Sequence, residues 1–244
     1  MSSIITFQGK IYLIDAGPNI DTTLRSLGIG IQEVEGIFHT HAHDDHFAGL
    51  TALIRADHKL KYFATPFVQA TAAKKMGALL SISDNAFRDY FEIHDLEMNA
   101  WNDIEGLEAK PFFSPHPVET TVFLFRARTD TGYKTYAHMA DICSMSVLEG
   151  MVNEDNDAPG LSRDAYDRIR EEYLVEADLK KLDVGGGLIH GEARDFADDT
   201  SGKLILAHRA TPYTVEEKEI GAGAPFGTVD VLIPSQRDYM YRSA

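Results

Sequence analysis

Residues 39 to 46 read His39-Thr40-His41-Ala42-His43-Asp44-Asp45-His46. Imidazoles and carboxylates crowded this closely are the mixed nitrogen and oxygen donors that borderline divalent cations such as zinc accept. The spacing has geometric content. His41 and His43 are two residues apart, so in an extended segment they face the same side. Asp45 and His46 are adjacent and face different ways, so one short loop can feed two neighbouring cations. The alternative is a polar loop that is merely rich in histidine, but four donor groups within six residues, straight after an apolar run, fit that description poorly.

The surrounding elements must bring this cluster together with other groups. Residues 10–14 have the pattern of a strand closed by the turn Asp15-Ala16-Gly17-Pro18, and residues 21–27 that of a short helix stopped near Gly28. Residues 34–38 form a second strand, which runs into the cluster, and residues 47–55 continue as a helix with apolar residues at helical spacing. Further on, residues 60–64 predict a strand, 66–76 a helix with proline in its first turn, and 82–90 a helical stretch. Residues 107–113 lead to His116, 121–126 form a strand, and 134–138 form a strand arriving at Asp141. The polar run 153–162 is expected to be a loop, and 163–182 a charged amphipathic helical region. Short strands at 188–189 and 204–207 end at His190 and His208, and 229–233 is a last apolar strand. Strands that end in His or Asp, with helical stretches between them, predict an α/β class.

A chain of 244 residues can bury a large core as one α/β domain or two small ones. With no repeat, low-complexity tract or obvious linker, a single domain over residues 1–244 is the expectation. No apolar run is long enough to span a bilayer, and Met1-Ser2-Ser3-Ile4-Ile5 lacks the basic and apolar regions of a signal peptide. Cys143 is the only cysteine, which excludes an internal disulfide. A reducing, cytoplasmic setting follows. The net charge of −15, without a basic stripe, argues against a large nucleic-acid footprint. It leaves room for a small phosphate ester drawn to a cation.

The segment from Ile37-Phe38-His39-Thr40 through Gly49-Leu50 closely resembles the signature of the metallo-β-lactamase superfamily. Later landmarks follow in that superfamily's order. Leu13-Ile14-Asp15-Ala16-Gly17 looks like its early strand and Asp-Gly turn, His116 like its third-motif histidine, Asp141 like its bridging aspartate, and His208 like its last metal histidine. The resemblance implies a four-layer αββα sandwich holding two divalent metal ions. His41, His43 and His116 would hold one ion, Asp45, His46 and His208 the other, and Asp141 would bridge both. A water or hydroxide between the metals would be the nucleophile. Two divalent ions carry four positive charges, and two aspartates and a hydroxide cancel three, so such a site attracts a small anionic substrate. Zinc is the favoured ion, with Mn and Fe as alternatives for the same donors.

Gly187-Leu188-Ile189-His190-Gly191-Glu192-Ala193 resembles the His-Glu-Ala-Thr motif of the ribonuclease Z-like phosphodiesterase branch. The resemblance makes His190, with Asp45, a catalytic residue; an imidazole can protonate a leaving oxygen near neutral pH. Gly191 separates His190 from Glu192, where the family has the pair adjacent, so Asp195, Asp198 or Asp199 are alternative orienting acids. The triple glycine 185–187 lacks the lysine and helix start of a phosphate loop, and is expected to let backbone pass close to the site or to bend a strand. His39 is expected to be a strand-end residue, His58 and His94 surface residues, and His138 a packed one.

The leading function is a metal-dependent phosphodiesterase acting on a small phosphodiester or nucleotide. The competing readings are an acyl hydrolase of thioesters or lactones with the same fold, and a catalytically silent metal-containing sensor. The short region before Ser3 and the abrupt end of the chain suggest one domain of a longer protein with a fused or associated regulatory domain. Tyr239 and Tyr241 are compatible with a homodimer interface or a packed terminus.

Overall fold

The chain forms the strands β1 (Ser3–Phe7), β2 (Lys10–Ile14), β3 (Val34–Phe38), β4 (Leu60–Ala64), β5 (Phe91–Asp95), β6 (Asn102–Ile104), β7 (Leu107–Ser114), β8 (Thr120–Thr129), β9 (Gly132–His138), β10 (Leu179–Asp183), β11 (Leu204–Ala207) and β12 (Ala222–Gly223), with β-branched and aromatic residues concentrated in β1, β4 and β8. The structure is a computed structural model describing residues 1–153 and 159–234. It divides into two compact units. The first comprises Met1–Asn102, Lys110–Phe123 and Ala140–Ile142, the second Asp103–Ala109, Leu124–Met139 and Cys143–Ala244.

The first unit carries a five-stranded sheet in the order β1-β2-β3-β4-β5. β1 is antiparallel to β2, and β2 to β5 run parallel. Parallel strands covered on both faces are apolar throughout, as β3 is at Val34, Ile37 and Phe38. Alternate residues serve opposite faces. Leu13, Ile37 and Tyr62 join the core formed with Phe47, Leu50, Val68, Met76 and Phe87. On the other face Phe38 stacks on Phe63, ring centroids 4.7 Å apart, and meets Phe123 edge-on at 5.9 Å. Ile14 pairs with Phe38, so β2 and β3 release their carboxyl ends side by side. In open α/β sheets that edge is where sites form.

The second sheet has seven strands in the order β12-β11-β10-β9-β8-β7-β6. β9, β10, β11 and β12 are parallel, with Lys181 opposite His138 and Asp183 opposite Ala207. The carboxyl ends of β10 and β11 therefore emerge next to each other.

Several expected elements differ. The helix begun by the Ser162 cap runs only over Arg163–Tyr173, and residues 179–183 form β10 instead of continuing it. The helical apolar spacing of Tyr166, Ile169 and Tyr173 ends there. Lys180 disguises the strand, because its side chain is fully buried against Asp199, an arrangement that a charge pattern alone does not reveal. Residues 188–189 form a turn, with Leu188 73% exposed, because Gly186, Gly187 and Leu188 all have positive φ. Residues 229–233 form no strand, and Val229 and Val231 are exposed. Residues 47–55 break into two short helices, Asp44–Phe47 and Leu50–Leu53, at the close approach of Gly49 to Gly17. Residues 82–90 reduce to a tight turn and the helix Phe87–Tyr90, and β5 follows unforeseen. The expected loop at 153–162 falls partly, and Tyr239 and Tyr241 wholly, outside the described residues. Among the described residues no helix is long and apolar enough to cross a membrane.

Candidate metal centre

Asp15 organises the histidine loop of the first unit. It adopts a left-handed backbone (φ 62°), which Asp tolerates better than most residues, and its amide donates to Phe38 O at 2.9 Å. Its buried carboxylate accepts from Thr40 N (2.8 Å), Thr40 Oγ1 (2.7 Å) and His46 Nδ1 (2.7 Å). One side chain thus ties together both ends of the loop. Burial pushes the Asp15 carboxyl up, but the facing His46 imidazole overcomes this and holds it well below the usual carboxylate range. Close backbone contact finishes the arrangement: Ala16 N donates to His46 O and Gly49 N to Ala16 O, both at 2.8 Å. A Cβ on Gly17 would lie 2.4 Å from Asp45 O, and one on Gly49 would lie 2.2 Å from Gly17 O, so both positions require glycine.

Around this frame His41, His43, His116 and Asp141 bring donor atoms within 4.8 Å of one another. His43 Nδ1 and His116 Nε2 are 3.0 Å apart. Asp141 Oδ2 lies 3.6 Å from both His41 Nε2 and His116 Nε2. The Thr40 hydroxyl gives its single proton to Asp15 and is 2.9 Å from His41 Nδ1, so His41 Nδ1 must be the donor there. That tautomer leaves a lone pair on His41 Nε2, a buried atom that makes no hydrogen bond. Burial, then the neighbouring His46, pushes His41 down to about 2, which keeps the ring neutral.

The other oxygen of the same carboxylate faces a different set. Asp141 Oδ1 is 3.0 Å and Asp45 Oδ2 3.3 Å from His46 Nε2. Burial opposes a proton on His46, but Asp15, Asp141 and Asp45 push it up to about 11. The Asp141 backbone is fixed by Ser114 Oγ, which donates to its carbonyl at 2.9 Å, and by the positive φ of Ala140. Thr121 N donates to Thr40 O at 3.0 Å, so the start of β8 is tied to the histidine loop.

Imidazole nitrogens converging on a carboxylate, one of them a buried lone pair without a hydrogen bond, suit a divalent cation. His41, His43, His116 and Asp141 could hold one such ion, and Asp45, His46 and Asp141 could contribute to a second. Of the expected site residues, these six come together in the first unit.

The second unit contributes its own cluster. His190 and His208 follow β10 and β11 and pack ring on ring, with centroids 4.4 Å apart. Between them lies Asp183, the last residue of β10, whose side chain is fully buried. Asp183 Oδ2 is 3.0 Å from His190 Nδ1 and Oδ1 3.3 Å from His208 Nδ1. Burial pushes this carboxyl up, but the two imidazoles hold it below its ordinary value. Gly185 packs against the His190 ring so tightly that a Cβ there would lie 2.8 Å from Cγ, which is the close backbone approach expected of the triple glycine.

Sequence reasoning missed Asp183, since residues 163–182 looked like one helix ending beside it. The signal available was the sequence Leu182-Asp183-Val184-Gly185, an acid between apolar residues just before glycines. Glu192, Asp195 and Asp199, three of the acids proposed to orient His190, are otherwise engaged. Glu192 accepts from Arg194 Nε at 2.7 Å, Asp195 from Met145 N at 3.1 Å, and Asp199 pairs with Lys180.

The remaining histidines sit apart from the ligand groups. His39 is fully buried with Nδ1 2.5 Å from the Tyr62 hydroxyl, and burial pushes it down to about 4. His138 is packed against Tyr136 (2.8 Å), while His58 and His94 reach solvent beside Asp57 and Glu92.

The family model described as Anti-Pycsar protein Apyc1 matches residues 1–136, more than half of the 244. The chain belongs to the Apyc1 family. The matched span contains His41, His43, Asp45, His46 and His116, and stops short of Asp141, His190 and His208. Outside the Apyc1 family description, 131 residues, 54% of this chain, are 25% identical to the cGMP-dependent 3′,5′-cGMP phosphodiesterase A of Dictyostelium discoideum, covering 15% of that protein. A shorter stretch of 51 residues, 21% of this chain, is 41% identical to ribonuclease Z of Clostridium kluyveri, covering 17% of it. The chain thus spans less than a fifth of the length of these relatives.

Solved structures give the fold. The short form of human tRNase Z superposes with a TM-score of 0.63 at 16% identity, over 96% of this chain and 93% of that one. The metallo-β-lactamase fold protein YhfI of Bacillus subtilis gives 0.62 at 14% identity, over 92% and 87%. A diphosphatase of the PhnP family gives 0.64 at 14% identity, over 93% and 81%. The Apyc1-family chain therefore has the α/β metallo-β-lactamase fold expected from its sequence, a fold whose members hold divalent metal ions.

Proposed function

We propose that this protein is a dinuclear metal-dependent phosphodiesterase that hydrolyses a small phosphodiester, with 3′,5′-cyclic nucleotides as the leading substrate class. The observation that carries this reading is the divided carboxylate of Asp141, with Oδ2 turned to His41 and His116 and Oδ1 to His46. A single carboxylate serving two donor sets is the arrangement a two-metal site needs. The cyclic-nucleotide phosphodiesterase among the relatives supports the substrate class, and the strongly acidic chain is unsuited to gripping a long nucleic acid.

His41, His43 and His116 would hold one ion and Asp45 and His46 the other, with Asp141 between. By the family resemblance His208 completes the second set. Bound there, the ions, zinc in the first instance, supply Lewis-acid charge and lower the pKa of water. The protein's own groups do the rest. Asp15 fixes His46 and, through Thr40, His41, so that the Nε2 atoms of both rings point to the donor sets. Asp45, roughly half exposed, is placed to accept a proton from water. His190, partly exposed and held at Nδ1, gives the leaving oxygen the Nε2 proton of its imidazolium form.

The test is hydrolysis of bis(p-nitrophenyl) phosphate, then of cyclic nucleotides, by protein reconstituted with zinc or manganese and assayed for bound metal. Turnover that chelation abolishes is expected. Two bound metals with no cleavage of any phosphodiester would reject the reading; thioester or lactone cleavage would then identify an acyl hydrolase, and silence on all esters a sensor.

A further inference from the structure

We infer that Asp183 is a positioning residue that sets the tautomer and orientation of His190. An ionised carboxylate only accepts hydrogen bonds. Asp183 is fully buried, and its two oxygens are divided between the rings, Oδ2 at 3.0 Å from His190 Nδ1 and Oδ1 at 3.3 Å from His208 Nδ1. His190 Nδ1 is therefore a donor, and in the neutral ring the lone pair sits on Nε2. The carboxylate is itself held, because Gly185 N donates to Oδ1 at 3.0 Å. The bare Cα of Gly185 lets the backbone close against the His190 ring, so the ring is gripped by the carboxylate at one edge and by backbone near Cγ.

The inference rests on the proposed function for what His190 Nε2 does. On that reading the carboxylate holds the ring with Nε2 free to carry, in the imidazolium form, the proton given to the leaving oxygen. A carboxylate behind a histidine orients the ring and raises its basicity. The family resemblance would give this task to an adjacent glutamate. In this chain Gly191 intervenes and Glu192 turns to Arg194.

The test uses the full chain with ¹⁵N-labelled histidine, first stripped of metal. Long-range ¹⁵N–¹H spectra, assigned with His190→Gln, report which nitrogen of the ring carries the proton. Wild type is expected to show Nδ1–H at the neutral His190 ring, and Asp183→Asn to lose that signature. After reconstitution, the kcat of Asp183→Asn at saturating metal should fall by a larger factor than its KM changes. Asp183→Glu, which keeps the acceptor, should restore the Nδ1–H signature in part.

A wild-type protein whose neutral His190 ring carries its proton on Nε2 overturns the inference, even if Asp183→Asn does not fold. An unchanged tautomer in a folded Asp183→Asn protein overturns it as well. Because the spectra need no substrate, failure of the phosphodiesterase reading would appear separately, as the correct tautomer in a protein that cleaves no phosphodiester.

Discussion

The two histidine clusters are built on opposite plans. In the first unit, four donor residues lie within six positions, from the end of β3 into the short helix Asp44–Phe47, and one buried acid, Asp15, ties that loop at both ends with contacts of 2.7–2.8 Å. In the second unit, His190 and His208 follow different strands, and Asp183, the last residue of β10, faces both. The first cluster is a local device whose loss costs structure and metal together. The second places the proposed proton donor, His190, on a glycine-rich loop, where a change is expected to cost turnover and leave the frame intact.

The largest expected effect breaks the first plan at its centre. Asp141→Ala removes the carboxylate that faces both donor sets, so activity should fall below detection and metal content should drop. Metal analysis alongside the phosphodiester assay checks this; an Asp141→Ala protein that keeps its full metal complement and activity would mean that Asp141 bridges nothing. Next comes the second plan. His190→Ala should lower turnover by roughly 10²–10⁴-fold with metal content and melting temperature close to wild type. Loss of metal in that variant would make His190 a ligand and blur the contrast between the clusters.

A third substitution separates frame from ligand. Asp15→Ala touches no proposed metal-binding atom, yet it removes the acceptor of three buried hydrogen bonds. Removing one partner of a buried charged network costs on the order of 3–5 kcal/mol, so chemical denaturation should show a large loss of stability, and the zinc affinity should weaken with it. A protein of wild-type stability would show that the loop is held by its backbone contacts through Gly17 and Gly49, and that Asp15 is dispensable.

The same contrast explains what could be read in the sequence. His41, His43, Asp45 and His46 were visible because their chemistry and their spacing coincide within one stretch, after an apolar strand that parallel packing demands. Gly17 and Gly49 serve a close backbone approach that no local pattern announces, though both stand inside the motif they support. Asp183 was invisible because its strand contains Lys180 and Lys181 and follows a true amphipathic helix, so the whole run has helical charge spacing. Burying Lys180 on Asp199 is a tertiary solution, written in residues that are 19 positions apart. The loop before His190 has the apolar look of a strand at Leu188 and Ile189, but the glycines ahead of them drive the backbone to positive φ and turn both side chains to solvent.

The smallest expected effect concerns the pH dependence of the stripped first cluster. His46 is raised from 6.5 to about 11, chiefly by Asp15 acting against burial. A raised histidine adds stability that is complete below its unfolded value and is lost as pH climbs toward the folded one. His39 and His41 behave in the opposite sense. Burial pushes them from 6.5 down to about 4 and about 2, so their neutral forms stabilise the fold above 6.5 and that contribution is lost as acid charges them. The lowered carboxyl of Asp15 adds a further loss only below its ordinary value of 3.8. The chelator-treated protein should therefore melt highest near pH 6.5, the shared unfolded value, and lower on both sides. Zinc held by the proposed ligands would replace the His46 proton and compete with protons for every ligand, so the loaded protein should lose the alkaline slope and keep a steeper acid one. Melting curves between about pH 5 and 9 with and without zinc measure both limbs. Parallel alkaline slopes in the two samples would mean that His46 carries no extra proton in the stripped fold, and that Asp15 holds the loop through Thr40 alone.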